Sequence, residues 1–174
     1  MEQNNLFDEV LELPNPDVQQ QFNDLVGLDN AKGLLLKEGR LLLNPDLLSK
    51  WSQKFHKVTL PCVEGFQKRP PLILFSGDVG TGKTALANSF GDPIARSENI
   101  PIRVLRLSLI TGGRGAVGEM THLISRAFDE VETLANKGFT PGKKPRSAVI
   151  FIIDEADSLA ESRDVEQMHH EDKA

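Results

Sequence analysis

Residues 77–84, Gly-Asp-Val-Gly-Thr-Gly-Lys-Thr, have the composition of a loop that binds phosphate groups. Glycine lets the backbone wrap closely enough for several amides to donate to phosphate oxygens at once. The lysine adds positive charge near the β- and γ-phosphates, and the hydroxyl of the final threonine can bind magnesium. A chance glycine-rich turn is the alternative, but an apolar run precedes this loop and a helix pattern follows it. We therefore assign phosphate binding to all eight residues of this P-loop: Gly77, Asp78, Val79, Gly80, Thr81, Gly82, Lys83 and Thr84.

Two acidic residues, Asp154 and Glu155, follow the apolar run 148–153. A carboxylate at the carboxyl end of a parallel strand lies in the crevice where such sheets bind ligands. Asp154 can hold magnesium, directly or through water, and Glu155 can polarise the water that attacks a γ-phosphate. By itself the pattern equally suits a strand that meets a solvated turn. The P-loop earlier in the chain favours the functional interpretation.

The same residues separate the classes of phosphate-binding enzyme. A GTPase would carry Asp-x-x-Gly at 154–157, whereas position 157 is aspartate. It would also carry Asn-Lys-x-Asp for guanine, whereas 136–139 reads Asn-Lys-Gly-Phe. A small-molecule kinase usually has no glutamate positioned to activate water. The pattern therefore favours an ATPase.

The elements that must position these residues alternate between strand and helix patterns. Continuous apolar runs at 72–75, 102–107 and 148–153 predict strands covered on both faces. Apolar residues at helical spacing between positions 123 and 135 predict an amphipathic helix. Such alternation predicts an α/β fold with a mainly parallel sheet. The connecting segments are predicted to be a linker to residue 21 with a short helix at 6–11, an irregular stretch at 59–71, and a glycine-rich loop at 111–118.

Length and charge fit one acidic globular domain. The chain has 174 residues, 39% of them apolar, with 20 basic and 25 acidic residues and a net charge of −5. This balance argues against a general nucleic-acid coat, which needs a basic surface. The N-terminus lacks a signal-peptide pattern, and the longest apolar run is far shorter than the roughly 20 residues that span a bilayer. With Cys62 as the only cysteine, we expect a cytoplasmic protein with no disulfide and no membrane contact.

Segment 22–32, Phe-Asn-Asp-Leu-Val-Gly-Leu-Asp-Asn-Ala-Lys, resembles the stretch that precedes the core of AAA+ ATPases. With the P-loop and the Asp-Glu strand, it makes residues 22–174 similar to an AAA+ large ATPase subdomain after a linker at 1–21. The resemblance implies a P-loop NTPase fold, a three-layer αβα sandwich, with ATP and Mg²⁺ as ligands. It implies that backbone groups at Val26 and Gly27 contact adenine. It also implies catalytic roles for Lys83 and Glu155, and a metal held by Thr84 and Asp154.

Within that superfamily the chain is most similar to the HORMA-remodelling ATPases of the pachytene-checkpoint type and their bacterial relatives from antiphage operons. Besides the P-loop, the similar segments are Gly-Ala-Val-Gly-Glu-Met-Thr at 115–121 and Asp-Glu-Ala-Asp-Ser-Leu-Ala at 154–160. The resemblance implies a homohexamer that threads part of a HORMA-domain protein through its pore.

The chain departs from this family in three respects. The first pore loop of many AAA+ proteins has an aromatic residue where this chain has Ala116-Val117-Gly118. A small residue is expected to grip the protein substrate less well. Alternatively, the segment is only a flexible connection. Asp78 replaces a common proline, with little expected effect on phosphate binding. The chain stops at Ala174, before the strand that would insert between the P-loop strand and the Asp-Glu strand. Sensor residues, arginine finger and helical lid would lie further on, so we expect a sheet that is incomplete at the C-terminus.

Two other functions remain open at this stage. The chain could be a truncated, non-catalytic nucleotide-binding remnant, or an inhibitory subunit that caps a partner's hexamer. Alternatively it could be a clamp-loader-like AAA+ protein that acts at DNA, although its acidity and the glycine-rich loop argue against this.

Overall fold

The structure, a computed structural model, describes residues 6–108, 117–140 and 143–156. Helices and strands make up most of this part of the chain, but the predicted alternation is present only after residue 101, because six helices follow one another between the first strand and the second. In order, the elements are β1 (Glu9–Leu13), α1 (Pro16–Asp24), α2 (Asp29–Leu43), α3 (Asp46–His56), α4 (Pro61–Lys68), α5 (Lys83–Ser89), α6 (Gly91–Glu98), β2 (Ile102–Ser108), α7 (Val117–Lys137) and β3 (Ala148–Asp154).

The three strands form one sheet in the order β1-β2-β3. β2 and β3 are parallel, with Ile102 opposite Ala148 and Ser108 opposite Asp154. β1 is antiparallel to β2, so the described sheet is mixed. The predicted strands at 102–107 and 148–153 are confirmed, and each extends one residue further. Because β3 is parallel to β2 and ends at Asp154, this carboxylate lies at the carboxyl edge of the sheet.

Helices cover both faces of the sheet. On one face α5 and α6 pack against residues of the strands, and Gly91 lets α6 approach closely: a Cβ there would lie 2.7 Å from Cδ1 of Ile150. On the other face α7 buries Ala127 completely, and Phe128 makes an edge-to-face contact with Phe151 at 5.2 Å between ring centroids. Helix, sheet and helix therefore form the three layers of the predicted αβα sandwich, and the α/β fold class is confirmed.

The prediction of a strand at 72–75 is wrong for the described chain. This segment belongs to no helix or strand, and the side chains of Leu72 and Leu74 are each 82% exposed. An apolar run indicates burial, but a strand also needs neighbours whose backbone groups complete its hydrogen bonds. Within the described residues, β3 pairs with β2 along one edge and no strand lies along its other edge.

Two further predictions about local structure are wrong. Residues 6–11 do not form a helix, because Glu9–Leu13 pairs with β2 as an edge strand whose Glu9 faces Arg106 across the ladder. The stretch 59–71 is not wholly irregular, because Pro61–Lys68 forms α4 with proline at its first turn. The predicted helix between 123 and 135 is confirmed as part of α7. Of the predicted loop at 111–118, residues 111–116 lie outside the described residues.

None of the described helices is long and apolar enough to cross a membrane.

A cluster of polar contacts around Glu98 joins α6 to α2 and to the segment before β3. Its carboxylate accepts hydrogen bonds from Lys144 Nζ at 2.8 Å, Asn44 Nδ2 at 3.0 Å and Arg40 Nε at 3.0 Å. The bond from Lys144, followed by the bond from Asn44, lowers the pKa of Glu98 from 4.5 to about 2. The Glu98 side chain is only 7% exposed, whereas those of Arg40 and Lys144 are 62% and 43% exposed, so the carboxylate is buried but its cationic partners keep contact with solvent.

We expect Glu98→Gln to lower the free energy of unfolding by about 2 kcal/mol at pH 7, because hydrogen bonds to a charged acceptor are lost. The pKa of Glu98 is lower in the folded state, so its contribution is present above pH 4.5 and is lost as the pH falls towards 2. Urea unfolding at pH 7 and pH 3 measures this. The difference in the free energy of unfolding between the parent and Glu98→Gln should be smaller at pH 3 than at pH 7. The control Glu64→Gln, at an exposed position, should change the free energy of unfolding little at either pH. An equal difference at both pH values would contradict the proposal that the ionised Glu98 carboxylate stabilises the fold.

Candidate nucleotide-binding site

The P-loop joins the segment 72–75 to α5 and turns sharply at its glycines. Gly77, Gly80 and Gly82 have φ angles of 148°, 80° and 85°, which side chains with L configuration rarely adopt. A Cβ at Gly80 would meet open space, so only its backbone angle restricts this position to glycine. The hydroxyl of Thr81 donates to the carbonyl of Asp78 at 2.8 Å and closes the turn. The loop therefore has the backbone that close approach to an anion requires.

Lys83 begins α5 and extends back over the loop that precedes it. Its Nζ donates to the carbonyl oxygens of Gly77 and Asp78, each at 2.8 Å. The ammonium group is thus held inside the curve of the loop by the backbone of that loop. This is where a lysine can balance the charge of bound phosphate.

Thr84 and Asp154 come together although 70 residues separate them in sequence. The hydroxyl of Thr84 donates to Oδ1 of Asp154 at 3.5 Å. α5 carries the threonine and the end of β3 carries the aspartate, so the sheet and the helix layer jointly fix the pair. A hydroxyl and a carboxylate beside a phosphate loop are the oxygen ligands that Mg²⁺ accepts.

Glu155 follows directly in an uncommon backbone conformation. Its φ is 54°, in the left-handed region, and its amide donates to Oδ1 of Asp154 at 3.1 Å. Asp154 therefore receives hydrogen bonds from two directions, which orient its carboxylate. A left-handed residue that is not glycine or asparagine costs energy, and such residues cluster at functional sites.

The segment that links α1 to α2 lies against the P-loop. A Cβ on Gly82 would lie 3.4 Å from Cδ1 of Leu28 and 3.7 Å from Cδ2 of Leu25. Between these leucines, Val26 is 91% exposed and Gly27 has a φ of 78°. The structure thus brings both residues predicted to contact adenine to the border of the phosphate loop.

The residues present fit magnesium and a nucleoside triphosphate. The loop supplies a glycine backbone shaped for an anion, Lys83 supplies a cation, and the Thr84–Asp154 pair supplies two oxygen ligands. All the predicted site residues lie in this one region of the described chain.

Lys32 is part of the same region and was not predicted as a site residue. Its Nζ donates to the carbonyl of Leu25 at 2.6 Å and lies 4.6 Å from the ring centre of Phe22. The sequence places Lys32 at the end of segment 22–32, but no pattern there marks this lysine as a site residue. Its contact depends on how α1 and α2 meet, which no local pattern indicates.

Comparison with known proteins places the chain in a family. Residues 73–174 match the family described as "ATPase family associated with various cellular activities (AAA)". The chain is 46% identical over 169 residues to CD-NTase-associated protein 6 of Escherichia coli strain MS 115-1, covering 97% of this chain and 54% of that protein. It is 39% identical over 174 residues to the protein of the same name from E. coli strain KTE188, and this match covers 99% of this chain and 56% of that protein. The chain thus spans about half the length of these relatives.

Two solved structures are similar to this fold. One is the E. coli MS115-1 HORMA:CdnC:Trip13 complex, with a TM-score of 0.79, 44% identity, and coverage of 88% of this chain and 49% of that chain. The other is Rhizobiales Trip13, with a TM-score of 0.71, 40% identity, and coverage of 88% and 53%. These matches confirm the resemblance predicted from the sequence. With its P-loop and its Asp-Glu strand in one site, the chain belongs to the AAA family of ATPases.

Proposed function

We propose that this chain binds ATP with magnesium and belongs to an ATPase that remodels a HORMA-domain protein. The observation that most supports nucleotide binding is the distance of 3.5 Å between the hydroxyl of Thr84 and Oδ1 of Asp154, beside the loop that holds Lys83. Two features of one predicted chemistry, the P-loop and the acidic end of β3, therefore meet although 70 residues separate Thr84 from Asp154.

In the proposed reaction each residue has a separate task. Backbone amides of 77–84 hold the phosphates, and Lys83 balances the charge that develops on the transferred γ-phosphoryl group. Glu155 orients and polarises the attacking water. Magnesium held by Thr84 and Asp154 would neutralise phosphate charge. Val26 and Gly27 contact the adenine ring.

The proposed protein partner follows from the relatives. A Trip13 chain of 44% identity was solved in a complex with a HORMA protein, and this chain shares its fold over the aligned residues. We propose a HORMA-domain protein as substrate, a homohexamer as the working assembly, and residues 116–118 as its pore contact. The cytoplasm is the proposed compartment.

Retention of a HORMA protein on the immobilised chain tests this partner. The HORMA component of the E. coli MS115-1 complex serves as ligand, with a non-hydrolysable ATP analogue present. We expect at least fivefold more retention on the parent chain than on Lys83→Ala, because substrate binding depends on bound nucleotide. The 46% identical E. coli relative is the positive control. Retention by the relative but not by this chain would contradict the proposed partner.

A second candidate function is nucleotide binding without hydrolysis. The segment 72–75 favours it, because residues 72–74 are exposed, the segment leads into the P-loop, and it lacks the support of a neighbouring strand in the described sheet. Phosphate release from ATP separates the two functions. Binding without release by the parent chain would favour the second.

A further inference from the structure

The turn at residues 25–28, which joins α1 to α2, lies beside Gly82 of the P-loop. Leu25 and Leu28 extend towards Gly82 and form its non-polar wall. Val26 and Gly27, between them, belong to neither helix, and a Cβ on Gly27 would meet open space. A ligand whose phosphates lie in the loop would place its remaining part beside this turn. The exposed Val26 side chain and the adjacent backbone suit a flat base.

Lys32 contacts this turn through its ammonium group. Its ammonium donates to the carbonyl of Leu25, which terminates α1, at 2.6 Å. The same ammonium lies 4.6 Å from the centre of the Phe22 ring, also on α1, in a cation–π contact. Lys32 itself is on the first turns of α2, where its amide bonds to the carbonyl of Leu28 at 2.8 Å. The Lys32 side chain thus ties the end of α1 to the first turn of α2, where the backbone of Lys32 already bonds to Leu28.

We propose that Lys32 is a positioning residue for the base end of the bound nucleotide. Its ammonium holds the carbonyl of Leu25, at the end of α1, against the start of α2 and so sets the position of Val26 and Gly27 beside the P-loop. The phosphate end is held separately, by the hydrogen bonds of Lys83 and Thr81 within the loop. This inference rests on the proposed function, since it assumes that a nucleotide occupies the P-loop.

The test compares a ligand that has a base with one that lacks it. Binding of ATP and of inorganic tripolyphosphate, each with magnesium, is measured by calorimetry on the whole chain. Lys32→Met keeps the aliphatic stem but removes the ammonium. We expect it to raise the Kd for ATP about tenfold, which is about 1.4 kcal/mol, and to change the Kd for tripolyphosphate less than twofold. Lys32→Arg should restore ATP affinity to within threefold of the parent, because a guanidinium can donate to Leu25 and stack on Phe22.

The matched control is Lys37→Met, the same change at an exposed position of the same helix, and it should leave both affinities unchanged. Equal losses for both ligands in Lys32→Met, or no loss for either, would overturn the positioning role while the proposed function stands. If the parent chain binds neither ATP nor tripolyphosphate, the proposed function fails, and this inference fails with it.

Discussion

Lys83→Ala is expected to weaken ATP binding at least 100-fold. The Lys83 ammonium is held by two carbonyl groups of the loop at 2.8 Å, so it is already placed where phosphate charge would accumulate. Its loss removes the nearest described cation from the phosphate loop, and a 100-fold change corresponds to about 2.7 kcal/mol. Calorimetric titration with ATP and magnesium measures the effect.

The control for this prediction is Lys37→Ala, which removes the same charge from an exposed position on α2 and should change the Kd less than twofold. Circular dichroism of both variants monitors the fold. A Lys83→Ala protein that is folded and binds ATP within threefold of the parent would show that the loop does not hold the phosphates.

Glu155→Gln is expected to keep ATP binding within threefold of the parent and to lower the rate of hydrolysis about 100-fold or more, the range for loss of a general base. Glutamine has nearly the same shape as glutamate but cannot accept a proton from the attacking water. Its backbone amide can still bond to Asp154, as Glu155 does at 3.1 Å. Phosphate release at saturating ATP measures the rate.

The matched control is Glu64→Gln, the same substitution on the exposed side of α4, and its rate should equal that of the parent. Hydrolysis by Glu155→Gln at the parental rate would contradict the assignment of the base. Equal loss of binding and rate would instead assign Glu155 to nucleotide binding.

The site was largely predictable because its residues are defined by type and spacing. Glycines, lysine and threonine in a fixed order need a particular backbone, and an acidic pair after an apolar run predicts a strand end. The structure then brings Thr84 and Asp154 together because β3 and α5 lie side by side in one α/β unit. The roles of these residues stay predictions until nucleotide binding is measured.

The remaining features depend on contacts between segments far apart in the chain. β1 was missed because its five residues, Glu-Val-Leu-Glu-Leu, do not alternate between polar and apolar, and they become a strand only through pairing with β2. The segment 72–75 was predicted as a strand from its apolar run, but that run carries no information about the pairing partner. Lys32 was missed because its contacts join two helices.

Titration of the unaltered chain with ATP, in the presence and absence of magnesium, tests whether the P-loop and the Thr84–Asp154 pair form a binding site for magnesium and ATP. We expect one ATP bound per chain, and weaker binding when magnesium is chelated, because Thr84 and Asp154 then lose the ion that would join them to the phosphates. No binding at millimolar ATP, or binding that Lys83→Ala leaves unchanged, would contradict this expectation.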